Sequence, residues 1–293
     1  MGQRRPAWGR IVALTAPLVI LVLVAAGAWA ASDELVCGDA EVTAFAMWKP
    51  WWFFLNPADR PAPSGTVLAT PVTMRDGVIL RGIVVPASRP SARRKALLVL
   101  YGNLAYSDVF YQMLRPLAFF DSEYDTVIYD YRGYWRSDGA PRYQAIVDDV
   151  GQVVKFLEGR YDEIRIYGSS LGALIASRAI GDDDKVKAIF LDGISPRLSD
   201  LSKDCPAGRL DPVDMSESTC RKVTLLLGAN DTIFPSERAR PFIDRMRSCG
   251  NSHFSINADL GHSYSEAWSD RDRASAVRGA IIREWLSAEQ PQP

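Results

Sequence analysis

From Thr66 onward the chain alternates short apolar, β-branched runs with amphipathic stretches, and few architectures accept that alternation. Ala96–Tyr101 (ALLVLY) is continuously apolar, as a strand buried on both faces of a parallel sheet must be. Thr126–Tyr131, Ile164–Tyr167, Val186–Leu191 and Val223–Leu227 repeat the pattern, and Phe254–Ile256 adds a last strand. Between them, Tyr106–Phe119, Arg142–Glu158, Leu171–Ile180 and Pro235–Ser248 have helical spacing, and a final helix runs from about Asp270 to Ser287. Within the second of these, Ile146, Val150, Val153, Val154 and Leu157 form one stripe. Pro235 followed by Ser236-Glu237-Arg238 is a helix start. Val67–Met74 and Val78–Val85 are split by Arg75-Asp76-Gly77, a hairpin signal. Strands joined by helices predict an α/β fold: a mostly parallel sheet with helices on both faces, its N-terminal hairpin forming an antiparallel edge.

Composition removes several function classes. The 293 residues carry 34 Lys+Arg against 35 Asp+Glu, a net charge of −1. That balance provides no basic surplus for a phosphate backbone, so nucleic acid is not an expected partner. The only histidines are His253 and His262. A three-histidine metal site is therefore impossible, and any imidazole chemistry must use one of these two. No cysteines stand in Cys-x-x-Cys spacing, which removes zinc ribbons and thioredoxin-like redox motifs.

The first thirty residues look like a targeting segment. Arg4, Arg5 and Arg10 precede an uncharged run, Ile11–Ala31. As a helix this run is roughly 31 Å long, enough to cross a hydrocarbon core. Basic flanks stay in the cytoplasm, so the rest of the chain is expected on the extracytoplasmic side. Residues 1–31 are thus a signal anchor or, given Ala28-Trp29-Ala30, a cleavable signal peptide. Residues 32–65 form a juxtamembrane aromatic segment and linker. Its Met47–Leu55 cluster of Trp and Phe suits either the membrane interface or burial against the domain that follows. The domain itself is expected over 66–288, with a tail at 289–293. All four cysteines follow the apolar run, where disulfides are permitted. Three connectivities are possible. Closing the short Cys205–Cys220 loop is worth about 3 kcal/mol in the chain-entropy treatment, and it would leave Cys37 with Cys249.

The chemistry concentrates at Gly168-Ser169-Ser170-Leu171-Gly172, between the run Ile164–Tyr167 and the helix from Leu171. A strand-to-helix turn is the setting that a G-x-S-x-G motif needs. Its glycines allow a sharp turn that lifts the Ser170 hydroxyl to the positive end of a helix. A serine hydroxyl becomes a nucleophile only when a base takes its proton, and that base needs a third group to hold its tautomer. Asp231 follows the strand Val223–Leu227, and His262 follows Phe254–Ile256. Both therefore fall at C-terminal strand ends, where parallel sheets place ligands. Asp192 is the alternative acid and His253 the alternative base. The order Ser170, Asp231, His262 is a nucleophile–acid–base set that requires no metal or cofactor.

Tyr101-Gly102-Asn103, Asp130-Tyr131-Arg132-Gly133-Tyr134 and Ser137-Asp138-Gly139 complete a recognisable pattern. From Thr66 to Ser287 the chain resembles an α/β-hydrolase, in particular the small-lid branch of serine aminopeptidase-like and monoacylglycerol lipase-like enzymes. Tyr101 stands where that branch has a histidine, and Trp135 where it has a glycine. The resemblance implies an oxyanion hole made by the backbone N–H groups of Asn103 and Leu171. It also implies a short lid over about 194–221, expected here as a disulfide-clamped flap. The activity implied is a serine hydrolase of carboxylic esters, with thioesters and small amides behind. An acyltransferase with the same three residues, or a non-catalytic binding protein on the same fold, is the alternative. The expected partners are a small acyl substrate and the membrane through the N-terminal segment.

Overall fold

A computed structural model of the chain describes residues 36–39, 41, 59–103, 105–115, 122–181, 183–200, 202–206, 208, 210–264 and 271–288. The chain divides into two units, Met1–Glu34 and Leu35–Pro293, and every described residue belongs to the second. The apolar run at 11–31, the aromatic cluster at 47–55 and the tail at 289–293 lie outside the described residues. Among the described residues, no helix is long and apolar enough to cross a membrane.

Among the described residues there are ten strands: β1 (Val67–Leu68), β2 (Val72–Thr73), β3 (Ile79–Leu80), β4 (Gly82–Val85), β5 (Lys95–Leu100), β6 (Tyr124–Tyr129), β7 (Glu163–Ser169), β8 (Val186–Asp192), β9 (Val223–Gly228) and β10 (Phe254–Asn257). The α-helices that follow β1 include α1 (Ser107–Leu114), α2 (Tyr143–Glu158), α3 (Leu171–Ala179), α4 (Glu217–Arg221), α5 (Arg240–Ser248) and α6 (Arg271–Ser287). The main sheet has eight strands in the order β1-β4-β6-β5-β7-β8-β9-β10. From β6 to β10 every pairing is parallel, while β4 and β1 run antiparallel at one edge. The central strands bury nearly every residue, which is why their sequences are continuous apolar runs and do not alternate.

The opening hairpin divides in two. Met74 and Val78 close the Asp76-Gly77 turn between β2 and β3, which pair as a separate small sheet. β1 instead pairs with β4 on the main sheet. Pro71 lies between β1 and β2. It has no N–H to give a ladder, so a single long strand cannot continue through it.

One topological feature locates the site. After β5 the chain lays β6 on one side, then crosses back to lay β7 on the other. Loops leaving the C-terminal ends of β5 and β7 therefore diverge, and ligands bind in the crevice between such loops.

The cysteines pair differently from the expectation. Cys37 bonds Cys205 and Cys220 bonds Cys249, so neither Cys205–Cys220 nor Cys37–Cys249 forms. Doubling a loop adds only about 0.6 kcal/mol to its closure entropy, so loop length decides little against packing. Helix α4 packs on α5, bringing Cys220 to the α5 C-cap at Cys249. The segment expected as a self-clamped flap holds two 3-10 turns and α4. It is fastened outward, to residue 37 and to α5. The Cys37 segment is itself docked: buried Glu41 accepts N–H bonds from Val36 and Cys37, and another from Tyr143 at the start of α2.

Candidate active site

Ser170 sits between β7 and α3 with φ 53 and ψ −117, a left-handed conformation that L-residues adopt only under constraint. The constraint comes from its two flanking glycines. A Cβ at Gly168 would lie 2.6 Å from the Gly172 carbonyl oxygen, and one at Gly172 only 2.0 Å from that of Leu100. Helix α3 can therefore approach the sheet closely enough to form the elbow only with glycine at both positions. The Ser170 side chain emerges partly exposed at the N-terminus of α3, where the first helical N–H groups have no intrahelical acceptor.

His262 and Asp231 reach Ser170 from the loops after β10 and β9. The Ser170 Oγ lies 2.8 Å from His262 Nε2. The opposite ring nitrogen, Nδ1, lies 2.8 Å from Asp231 Oδ2. The second Asp231 oxygen, Oδ1, accepts the backbone N–H groups of Ile233 at 2.8 Å and Phe234 at 2.7 Å. Phe234 also presents its ring edge-on to the imidazole, with centroids 5.0 Å apart. Asp231 and His262 are both buried. A buried carboxylate that accepts three hydrogen bonds can hold an imidazole in the tautomer whose Nε2 accepts a proton.

The turn after β5 passes directly beside Ser170: a Cβ on Gly102 would lie 3.3 Å from the Ser170 Cβ. The next residue, Asn103, receives a hydrogen bond on Oδ1 from the Tyr134 hydroxyl. Behind the turn, Tyr101 is fully buried, and its hydroxyl donates to Asp130 Oδ1 at 3.1 Å. Asp130 also accepts from Ser107, through the backbone N–H at 2.7 Å and the hydroxyl at 2.8 Å, and so caps α1. Full burial, with Asp108 adding to the effect, pushes the Asp130 carboxyl from its ordinary 3.8 up to about 7. Trp135 has φ 31, a value that suits the glycine of the resembled family. It stacks on Tyr106 with ring centroids 4.3 Å apart, and the Arg60 guanidinium lies 5.2 Å from its ring centroid.

The alternative residues lie elsewhere. His253 is exposed just before β10, at the opposite end of that strand from His262. The Asp192 carboxylate pairs with Arg278 of α6 at 2.8 Å and accepts the Tyr167 hydroxyl at 2.8 Å. Sequence reasoning passed over Arg278, although the signal was present. Ala274, Arg278, Ile282 and Trp285 share one buried stripe of α6, and a charge in an apolar stripe calls for an explanation.

The family described as the alpha/beta hydrolase fold matches residues 95–247. The chain is also 24% identical over 259 residues to the uncharacterised protein YfhR of Escherichia coli, covering 82% of this chain and 88% of that one. Among solved structures, a hyperthermophilic esterase from Pyrobaculum calidifontis superposes with a TM-score of 0.59 at 16% identity, covering 92% of this chain and 98% of its own. Brefeldin A esterase, a bacterial homologue of human hormone sensitive lipase, gives 0.58 at 15% identity over 87% and 85% of the two chains. An esterase of Pyrococcus furiosus gives 0.57 at 16% identity over 74% and 92%. A parallel sheet with a serine elbow at its switch point defines a class of protein, the α/β-fold hydrolases. This chain belongs to that family, the alpha/beta hydrolases.

Proposed function

We propose that the protein is a serine hydrolase of carboxylic esters that works through an acyl-enzyme on Ser170. The observation carrying this reading is the unbroken relay from Ser170 Oγ to His262 Nε2, and from His262 Nδ1 to Asp231, each step 2.8 Å long. In this reading His262 removes the Ser170 proton as Oγ attacks the ester carbonyl carbon. It then returns that proton to the departing alkoxide. Asp231 stays ionised and stabilises the imidazolium. The developing oxyanion sits against the backbone N–H groups of Asn103 and Leu171, each worth several kcal/mol in such a site. Water, activated by the same imidazole, then attacks the acyl carbon and releases Ser170. Esters are preferred because the structural neighbours named above are esterases and because the relay needs no further group for a good leaving alcohol. Thioesters and small amides follow.

We further propose that residues 66–288 form the hydrolase domain and that it works on the extracytoplasmic side, held there by residues 11–31. The two disulfides support an oxidising compartment.

The test uses a fluorophosphonate probe and p-nitrophenyl acetate. Wild-type protein is labelled and turns the ester over. Ser170→Ala is not labelled, His262→Ala loses turnover, and His253→Ala keeps most of it. Labelling that persists in Ser170→Ala moves the nucleophile elsewhere and ends the proposal.

A further inference from the structure

Arg278 is completely buried in the middle of α6. A buried ion pair is a poor device for stability, since an apolar pair of similar volume is often as good or better. Its surroundings suggest another use. The guanidinium pairs with Asp192 Oδ2 at 2.8 Å, donates from Nη2 to the Gly261 carbonyl oxygen at 3.3 Å, and lies 5.1 Å from the Tyr264 ring centroid. Gly261 and Tyr264 bracket His262 in the chain, so one rigid cation grips the histidine loop on both sides.

The grip has a fixed base on the nucleophile's own strand. The Asp192 backbone carbonyl accepts the Ser170 N–H at 2.9 Å. Tyr167 and Ser169 point to the same side of β7, as residues two apart must. The Tyr167 hydroxyl lies 2.8 Å from Asp192 Oδ2 and 3.1 Å from the Tyr264 hydroxyl. The Ser169 hydroxyl lies 2.5 Å from that of Ser263. Tyr264 is held at φ 61, a left-handed conformation that a tyrosine does not keep unaided. Asp192 thus fixes the nucleophile through its backbone and the base loop through its side chain and Arg278.

We infer that Arg278 is a positioning residue for His262: with Asp192 it sets the distance between the imidazole and the Ser170 hydroxyl. The inference rests on the proposed triad. It requires arginine in particular, because Nε faces Asp192, Nη2 reaches the Gly261 carbonyl and the flat face of the same guanidinium lies by Tyr264, all at once. A lysine can pair with Asp192 but cannot make all three.

The experiment compares full-length wild type, Arg278→Lys and the double variant Arg278→Met/Asp192→Asn, which leaves no uncompensated buried charge. For each, kcat and KM on p-nitrophenyl acetate, the fluorophosphonate labelling rate and the urea midpoint are measured. A misplaced base costs on the order of 100-fold in kcat. Arg278→Lys is expected to lose about that much in kcat and labelling rate, with KM within about twofold of wild type. The double variant recovers the wild-type midpoint while its kcat remains low, and it carries the comparison alone if Arg278→Lys is insoluble. Wild-type kcat in Arg278→Lys overturns the inference, as does recovery of kcat together with stability in the double variant. If instead wild-type protein resists the probe, or Ser170→Ala accepts it, the triad reading fails and this inference falls with it.

Discussion

Asp231 divides its two oxygens between jobs, and a single-atom change can separate them. Oδ1 accepts two backbone N–H groups, and Oδ2 faces His262 Nδ1. In Asp231→Asn the amide oxygen must stay with the backbone donors, so the NH2 group faces the ring. Nδ1 then has to accept, Nε2 carries the proton, and the imidazole cannot take one from Ser170. Turnover of p-nitrophenyl acetate should fall about 10³- to 10⁴-fold with little change in melting temperature. Asp130 makes a different prediction. Its carboxyl is raised from 3.8 to about 7 by burial, so over that window the folded chain holds a proton that the unfolded chain has lost. Stability linked to Asp130 is therefore fully present below about pH 4 and is lost as pH rises through about 7. Urea unfolding of wild type should show that decline, and Asp130→Asn should flatten it; equal slopes in the two proteins would contradict the assignment.

Arg132 joins three elements through one guanidinium. It contacts Asp149 of α2 with two nitrogens, at 2.7 and 2.6 Å, and Asp76 in the β2–β3 turn at 2.8 Å. The Asp149 side chain is 1% exposed and that of Asp76 is 49% exposed. Asp149→Ala removes the buried carboxylate that two of the guanidinium nitrogens contact, leaving only the exposed Asp76 pair, and should cost about 3 kcal/mol, whereas Asp76→Ala removes an exposed partner and should cost no more than about 1 kcal/mol. Urea titration of the two variants checks the contrast. The parallel strands were legible in the sequence because burial on both faces writes itself as an uninterrupted apolar run, and Ala96–Tyr101 differs from β5 by one residue at each end. The tight turn around Ser170 was legible because glycine is the only residue that fits at position 172 beside Leu100. Asp231 and His262 were legible as chain positions, but their meeting depends on the register of β9 and β10, which no local pattern encodes. The charge of Arg278 in an apolar stripe was legible, but its pairing with Asp192 was not, because the two come together only in the fold.

Over the whole molecule the disulfides distribute constraint unevenly. Cys220–Cys249 closes a separation of 29 residues between neighbouring helices, and Cys37–Cys205 one of 168 between the N-terminal segment and the stretch after β8. The Cys205–Cys220 expectation weighed loop closure alone, and loop closure is a weak selector because its entropy grows only with the logarithm of length. The packing of α4 on α5 outweighs it, since it brings Cys220 within bonding reach of Cys249. The two observed pairs have Cα separations of 4.0 and 6.3 Å. Removing the shorter bridge with Cys220→Ala/Cys249→Ala should cost about 3.6 kcal/mol, and removing the longer one with Cys37→Ala/Cys205→Ala about 5 kcal/mol, because the longer loop frees more of the unfolded chain. Non-reducing peptide mapping of exported protein should recover residue 37 joined to 205 and residue 220 joined to 249. A peptide joining 205 to 220 would mean that the segment after β8 closes on itself, and the outward fastening described above would have to be abandoned.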